Sequence, residues 1–277
     1  MLRRTFCHLP RVGLRTESRL WDAGVTSWDQ LSGDAPPGYA RAQIERLRQG
    51  VATSEQRIAA GDASAFTQAL PSNQQWRLFS TFRDEAAYLD IETTGLGAPG
   101  DKITTIALYD GQKVRHFVHG RNLDEFPDVI RRYGMLVTYN GKCFDVPFIE
   151  RYFRIRLEQA HLDLRYILRQ LGFGGGLKGC ERALGVDRGD VDGLDGFHAV
   201  ILWREWERHR RSESLETLLA YNVEDTINLE ALMVLAFNRL VRQTPFASLE
   251  RVADGKPPSN PFRADPRTVA RVLARGG

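Results

Sequence analysis

The chain has 277 residues, of which 42% are hydrophobic and 26% are charged, as in an ordinary soluble globular protein. No apolar run approaches the ~20 residues of a membrane span, which argues against a membrane protein. The cysteines, Cys7, Cys143 and Cys180, are scattered, which argues against a disulfide framework and a zinc ribbon. The net charge of +3 does not by itself indicate a nucleic-acid partner. Because no apolar signal core follows the basic N-terminus, we expect a cytoplasmic protein.

Residues 1–30 are rich in arginine and predict a tight turn at 10–13 followed by a helix over 14–23. The segment resembles a helix-hairpin-helix element, whose Gly-x-Gly turn offers backbone N–H groups to a phosphate. In this chain Arg11 stands where the first hairpin glycine would be. The candidate nucleic-acid contacts are Arg11, Gly13 and Arg15. The alternative is a small helical unit that packs on the main domain.

The rest of the chain divides into three stretches. Residues 31–75 show weak helical patterns at 39–48 and 56–60, punctuated by proline, and predict a helical linker. Residues 76–243 carry strand patterns that give way to helices, and we expect the main domain there. The proline-rich tail, 244–277, predicts a mostly irregular structure.

The main domain begins with strand patterns and ends in helical ones. The predicted strands run to residue 92, then over 103–109, 113–118, 135–139 and 161–164. The predicted helices are 125–132, 145–153, 164–171, 177–184, 196–210 and 215–240. Asp110-Gly111 between two strand-like runs is a strong hairpin signal. An antiparallel start followed by alternating strands and helices predicts an α/β fold, with a mixed sheet flanked by helices.

The first chemical motif is Asp90-Ile91-Glu92 at the end of an apolar strand. Residues i and i+2 of a strand point to the same face, so the two carboxylates should lie side by side. Unpaired carboxylates this close repel each other, and a divalent cation between them relieves the repulsion. Hard oxygen ligands suit Mg²⁺ or Mn²⁺. An exposed strand end with two solvated acids is the alternative.

Two further motifs follow along the chain. Asp145 comes after the strand 135–139 and before a helix, and it could equally be a plain helix N-cap. Tyr221 and Asp225 are four residues apart on a late helix, so they share one helical face. They could also form a purely structural hydrogen-bonded pair. Coincidence of all three motifs in one chain is improbable.

Other features predict no chemistry. The glycine-rich stretch 172–179 lacks the Gly-Lys-Ser/Thr of a P-loop, and we interpret it as a mobile linker before a helix. The acidic loop 187–195 lacks the spacing of a calcium loop. Asp163 could point into a site, but a helix cap fits it better. Trp203 and Trp206 on a helix fit packing or surface positions better than a stacking platform.

Together the motifs resemble those of the DEDD superfamily of 3′–5′ exonucleases, in its tyrosine subclass. Within that group the chain is most similar to the ribonuclease-H-like domain of the YprB family, which also begins with a helix-hairpin-helix-like segment. The similarity covers about 76–242. It implies a ribonuclease-H-like mixed five-stranded sheet flanked by helices, with a small N-terminal helical region. The sister subclass places a histidine where this chain has Ala220, which favours the tyrosine subclass.

The resemblance also implies roles for the motif residues. Asp90 would contact both of two Mg²⁺ or Mn²⁺ ions, with Glu92 and Asp225 completing the first site and Asp145 supporting the second. Tyr221 would orient the attacking water and help take its proton. A tyrosine of ordinary pKa near 10 is a poor base, so we assign proton removal mainly to the metal-assisted water.

The family pattern further implies contacts to the terminal nucleotide. The residues concerned are Thr93, Thr94, Gly95, Leu96, Asn140 and Phe144. Ordinary core positions are the alternative for Leu96 and Phe144. Stacking and backbone contacts tolerate any base, so we expect little sequence preference.

Function is therefore expected to be metal-dependent 3′–5′ hydrolysis of single-stranded nucleic acid, DNA slightly ahead of RNA, with no membrane partner. A binding or scaffolding module that keeps the fold without turnover is the alternative. An endonuclease on the same fold is a third possibility, and it would cut circular substrates. The retained carboxylates favour an enzyme, because a binding module has no need of mutually repelling acids.

Overall fold

The structure is a computed structural model, and it describes residues 1–33, 35–36, 38–255 and 258–275. The chain divides into two units. The first unit comprises Met1–Asp84 and Phe237–Val252, and the second comprises Glu85–Ala236 and Ala253–Gly277. Within the residues that the structure describes, no helix is both long enough and apolar enough to cross a membrane.

The first unit is helical. Its α-helices are α1 (Leu14–Asp22), α2 (Arg41–Ala59), α3 (Ala63–Ala69) and α4 (Phe79–Phe82). Helix α2 is continuous where two short helices were predicted. The missing side chain of Gly50 lets the side chain of Leu9 pack against the helix, where a Cβ would come within 2.8 Å of Leu9 Cδ2. This tertiary contact lies within the stretch where the helical pattern is weakest.

A buried ion pair between Glu17 and Arg77 lies in the first unit, close to its N-terminal residues. Glu17 on α1 accepts hydrogen bonds from the backbone N–H groups of Phe6 and Cys7, at 2.6 and 3.0 Å. Its other carboxylate oxygen lies 2.8 Å from Nη1 of Arg77. Both side chains are at most 5% exposed, so the charge of Glu17 is fully compensated within the protein.

The second unit contains the sheet. Its strands are β1 (Ala86–Thr93), β2 (Ile103–Tyr109), β3 (Val114–Val118), β4 (Met135–Thr138) and β5 (Ala160–Asp163). Its helices are α5 (Phe126–Ile130), α6 (Asp145–Phe153), α7 (Leu164–Gln170), α8 (Gly176–Leu184), α9 (Gly196–His209), α10 (Ser212–Val241) and α11 (Pro266–Leu273). The last residues of α10, from Phe237, belong to the first unit.

The sheet has the strand order β3-β2-β1-β4-β5. Strands β1, β2 and β3 are antiparallel neighbours, whereas β1, β4 and β5 run parallel. The predicted mixed five-stranded sheet is thus confirmed. Strand β4 pairs with β1 only over Ala86–Tyr88, so the end of β1 continues beyond its parallel neighbour.

Alternation along β1 divides its side chains between the two faces of the sheet. Ala87, Leu89 and Ile91 enter a core that includes residues of α5 and α6. Asp90 and Glu92 have the opposite parity and therefore face the other side. A hydrogen bond from Asn222 on α10 to Asp90 shows which helix lies on that side.

The C-terminal region differs from the irregular tail that the sequence predicts. Helix α11 begins after Asp265, whose carboxylate accepts a hydrogen bond from the N–H of Thr268. Thr268 and Val272 are buried in the second unit. Parts of the predicted linker and tail lie outside the described residues, namely Asp34, Pro37, Lys256, Pro257, Gly276 and Gly277.

Candidate active site

The acidic pair on β1 meets a third carboxylate from α10. Asp90, Glu92 and Asp225 each offer an oxygen, and these oxygens all lie within 4.8 Å of one another. Glu92 and Asp225 are buried, and Asp90 is partly exposed. The period of two along β1 and the entry of α10 on the same side of the sheet produce this grouping. The prediction that Asp90 and Glu92 share a face is confirmed.

Asn222 anchors α10 to the acidic strand, and the sequence reasoning gave it no role. Its Nδ2 donates to Oδ2 of Asp90 at 2.7 Å, while its Oδ1 accepts from Oγ1 of Thr105 at 3.0 Å. The side chain is fully buried. Because it is bonded to both β1 and β2, it fixes one oxygen of Asp90.

Asp145 is the first residue of α6, and it lies against β1. Its Oδ1 accepts a hydrogen bond of 3.2 Å from the backbone N–H of Ile91, which β4 is too short to reach. The N-cap of α6 is Phe144, without a side-chain capping bond, so the plain capping role considered for Asp145 is wrong. Asp145 lies outside the group of three carboxylates, but it lines the same cavity.

The carboxylates are destabilised in their charged forms. Burial raises the pKa of Asp90 well above its ordinary value, and the charges of Asp145, Glu92 and Asp225 raise it further. Burial together with the charge of Asp225 does the same to the pKa of Glu92. The pKa of Asp145 rises to about 7, chiefly through burial. Buried oxygen donors that repel one another are what a hard divalent cation stabilises, so these residues fit Mg²⁺ or Mn²⁺.

Tyr221 lies one helical turn before Asp225 and is 4% exposed. The hydroxyl lies near the carboxylate of Asp225 and lowers the pKa of that group, which burial raises. Burial, followed by the charges of Asp225 and Glu92, raises the pKa of Tyr221 well above its ordinary value. The hydroxyl therefore keeps its proton at neutral pH and can donate a hydrogen bond.

Two cations stand beside Tyr221, and sequence reasoning missed both. Arg188 lies in the loop between α8 and α9, and its Nη2 is 2.5 Å from Oδ1 of Asp225. Nζ of Lys178 on α8 is 5.1 Å from the centre of the Tyr221 ring. This nitrogen is buried and makes no hydrogen bond within the part of the chain that the structure describes. No spacing rule singles out either residue, because each reaches the site through tertiary packing.

A cavity of about 860 Å³ opens beside the carboxylates. Among the predicted nucleotide contacts, Thr93, Gly95, Leu96, Asn140 and Phe144 line it. Thr94 does not line it; its hydroxyl accepts the backbone N–H of Lys102 at 2.9 Å and so closes the loop that follows β1. The remaining wall is partly basic and partly apolar, and includes Arg165, Arg169, Phe173, Leu177 and Phe197.

The loop after β1 requires a glycine beside the site. A Cβ on Gly95 would come within 2.6 Å of Oδ1 of Asp101. The carboxylate of Asp101 also accepts hydrogen bonds from the backbone of Gly97 and Ala98, at 2.8 and 2.7 Å. This arrangement leaves Leu96 93% exposed, so the core position considered for it is wrong. Phe144 is partly buried against the core and also lines the cavity.

Asp163 holds the backbone of Asn140 and Arg165, two residues that line the cavity. Its carboxylate accepts the backbone N–H of Arg165 and so caps α7, as predicted. The same carboxylate accepts from the N–H groups of Asn140 and Lys142, at 2.8 and 3.0 Å. Asn140 takes the left-handed conformation, with φ of 65°, and its Oδ1 accepts from Nη1 of Arg165 at 2.5 Å.

The other features without assigned chemistry also have structural roles. Asp195 in the acidic loop caps α9 by accepting the N–H groups of Phe197 and His198. Trp203 is buried in the core around α9. The glycine-rich stretch ends inside α8, which begins at Gly176, so its second half is helical rather than a linker.

The candidate phosphate contacts Arg11, Gly13 and Arg15 belong to the first unit. Arg11 is exposed and left-handed, with φ of 66°, in a turn closed by a hydrogen bond from Val12 N–H to the carbonyl of Leu9. Gly13 is the N-cap of α1. The helix therefore begins as predicted, and phosphate binding there stays a prediction.

Comparison with known proteins identifies a family for the region that contains the sheet. A family model described as RNase_H superfamily matches residues 87–237. None of the curated proteins compared with the chain matches it. The fold is similar to the family B DNA polymerase from the hyperthermophilic archaeon Pyrobaculum calidifontis, at 18% identity and a TM-score of 0.43. That similarity covers 61% of this chain and 27% of the polymerase chain. Because the family model matches more than half of its length, the chain belongs to the RNase H superfamily.

Proposed function

We propose that the protein is a metal-dependent 3′–5′ exonuclease of the tyrosine DEDD subclass, acting on single-stranded nucleic acid. The observation that carries the proposal is the grouping of Asp90, Glu92 and Asp225 within 4.8 Å. Asp145 and Tyr221 line the same cavity. The domain that does this work would be 76–243, in the arrangement of the YprB family.

Each side chain has a role that follows from its position. Asp90, Glu92 and Asp225 would hold one divalent ion, and Asp145 with Asp90 would support a second. When bound, two Mg²⁺ or Mn²⁺ ions would activate the attacking water and stabilise the leaving oxygen. Tyr221 lies beside Asp225 and would orient the water through a hydrogen bond from its protonated hydroxyl.

The cavity wall favours a single-stranded end. Leu96 and Phe197 are 93% and 57% exposed at the cavity, and such apolar surfaces can stack on unpaired bases of any sequence. Arg165 and Arg169 are exposed at the same cavity and can pair with phosphates. Thr93, Gly95, Asn140 and Phe144 would contact the terminal nucleotide, with Thr94 shaping the loop.

The experiment uses purified protein with Mn²⁺ or Mg²⁺ and 5′-labelled single-stranded DNA and RNA. We expect a ladder that shortens from the 3′ end, is abolished by EDTA, and is somewhat faster on DNA. Asp145→Asn should lose activity, because the amide carries no negative charge to hold a metal ion. Its oxygen can still accept the hydrogen bond from the Ile91 N–H, so the local structure should be kept. Asp128→Asn, at an exposed surface carboxylate, is the matched control and should keep it.

Other outcomes select other functions. Retained binding without degradation would indicate a binding or scaffolding module. Cleavage of circular single strands would indicate an endonuclease, because an exonuclease needs an end.

We also propose that Arg11, Gly13 and Arg15 bind a phosphate of the nucleic acid. Replacing both arginines by glutamine should reduce the slope of binding affinity against salt concentration, because fewer counterions are released. An unchanged slope would leave the segment with a structural role.

A further inference from the structure

The guanidinium of Arg188 directly contacts the acidic cluster. Its Nη2 lies 2.5 Å from Oδ1 of Asp225, and the side chains of both residues are at most 7% exposed. The contact joins a buried guanidinium to one oxygen of a carboxylate that groups with Asp90 and Glu92. One of the two oxygens of Asp225 is therefore already occupied by a cation of the protein.

The guanidinium is held on its other side as well. Its Nη1 lies 2.5 Å from Oε2 of Glu181, a fully buried residue on α8. Oε1 of Glu181 accepts a hydrogen bond of 2.9 Å from Nδ2 of Asn228. The same Nδ2 contacts the carbonyl of Asp187, next to Arg188 in the chain. Arg188 is thus fixed from two sides and cannot easily leave Asp225.

A fixed positive charge on Oδ1 restricts how Asp225 can bind a metal ion. A divalent cation bound to both oxygens of the carboxylate would approach the guanidinium closely and be repelled by it. Binding through one oxygen avoids this repulsion. Mg²⁺ uses octahedral coordination with few carboxylate contacts, whereas Ca²⁺ takes six to eight oxygens and often binds carboxylates through both.

We propose that Arg188 is a positioning residue that limits Asp225 to one metal-facing oxygen and so favours Mg²⁺ and Mn²⁺ over Ca²⁺. The inference rests on the proposed metal-dependent function. It adds a determinant of metal choice, because the carboxylates alone would accept either class of ion.

The test measures metal binding without catalysis. Mn²⁺ binding is followed by electron paramagnetic resonance, and Ca²⁺ affinity by its displacement of Mn²⁺. The main variant is Arg188→Met combined with Glu181→Gln, since removing the arginine alone would leave Glu181 buried and unpaired. We expect the preference for Mn²⁺ over Ca²⁺ to fall by about 10-fold, the scale reported for partners of metal ligands.

Three single variants separate the positioning role from charge and folding. Glu181→Gln weakens one of the two contacts that hold Arg188 but leaves its guanidinium beside Asp225, so it should lower the preference less than the double variant does. Arg182→Met removes an exposed charge from the same helix and should keep the preference. Arg188→Lys retains the charge without the two-sided guanidinium and should show an intermediate preference.

One result would overturn the inference. If the ratio of Mn²⁺ to Ca²⁺ affinities is unchanged in the double variant, whether or not both affinities fall, Arg188 does not discriminate between the ions. If the wild-type protein binds Mn²⁺ and Asp90→Asn does not, the proposed metal site stands even when Arg188 fails. If the wild-type protein binds no Mn²⁺, the proposed function and the inference fail together.

Discussion

In the first unit the buried carboxylate of Glu17 is paired with Arg77 and accepts hydrogen bonds from two backbone N–H groups. In the second unit the clustered carboxylates of Asp90, Glu92 and Asp225 outnumber the cations beside them. Arg188 pairs directly with Asp225, and Lys178 lies nearby without a hydrogen bond in the described chain. A compensated buried charge holds a fold together. An excess of buried negative charge is instead typical of a site that binds a cation.

The largest expected effect tests the uncompensated side of this comparison. Replacing the central carboxylate, Asp90→Asn, should reduce the rate of nucleic-acid hydrolysis by about 1000-fold or more, equivalent to about 4 kcal/mol. The metal-free variant should unfold at the same temperature as the wild type or higher, because repulsion with Glu92 and Asp145 is relieved. Initial rates and thermal melts in EDTA measure the two effects. Full activity with unchanged Mn²⁺ affinity would contradict the proposed site.

Breaking the ion pair between Glu17 and Arg77 should lower the stability of the protein. Arg77→Met leaves Glu17 buried without its cation, and we expect a loss of about 3 kcal/mol in the free energy of unfolding. Urea denaturation followed by tryptophan fluorescence measures it, since Trp21, Trp28 and Trp76 all lie in the first unit. Combining the change with Glu17→Gln should recover part of the loss. A double variant no more stable than the single one would show that the pair is not the source of the effect.

A buried histidine sharpens the comparison through pH. Burial lowers the pKa of His8 from 6.5 to about 4, and its Nε2 contacts Oγ of Ser54 at 2.9 Å. Since the unfolded state binds the proton more tightly, stability should fall as the pH drops from 6.5 towards 4. We expect His8 to account for about 2 kcal/mol of loss between pH 7 and pH 5.

The check is urea denaturation of the wild type and of His8→Gln at both pH values. The variant should be less stable at pH 7 but should show the smaller loss on acidification. Equal pH dependence in the two proteins would show that His8 is not the group responsible.

The smallest effect concerns Tyr221. Tyr221→Phe removes the hydroxyl near Asp225 but keeps the ring beside Lys178. We expect the hydrolysis rate to fall by about 10-fold, or about 1.4 kcal/mol, since the hydroxyl orients other groups and does not remove the proton. Rates at saturating substrate measure the loss. A loss as large as that of Asp90→Asn would assign Tyr221 a direct part in the chemistry.

The sequence by itself determined the parts of the site that depend on local geometry. The period of two along a strand places Asp90 and Glu92 on one face, and the helical spacing places Tyr221 one turn from Asp225. The turn between β4 and α6 places Asp145 at the start of a helix, as predicted. The strand patterns also predicted the mixed sheet.

Only the tertiary structure decided which groups surround these carboxylates. Arg188, Lys178 and Asn222 reach the acidic residues through packing of α8, the following loop and α10, over sequence separations that no period encodes. The exposure of Leu96 depends on Asp101 binding the loop backbone, and the continuity of α2 accompanies the packing of Leu9 on Gly50. Local periodicity fixes the direction of a side chain, but its partners come from distant elements, so only their packing reveals them.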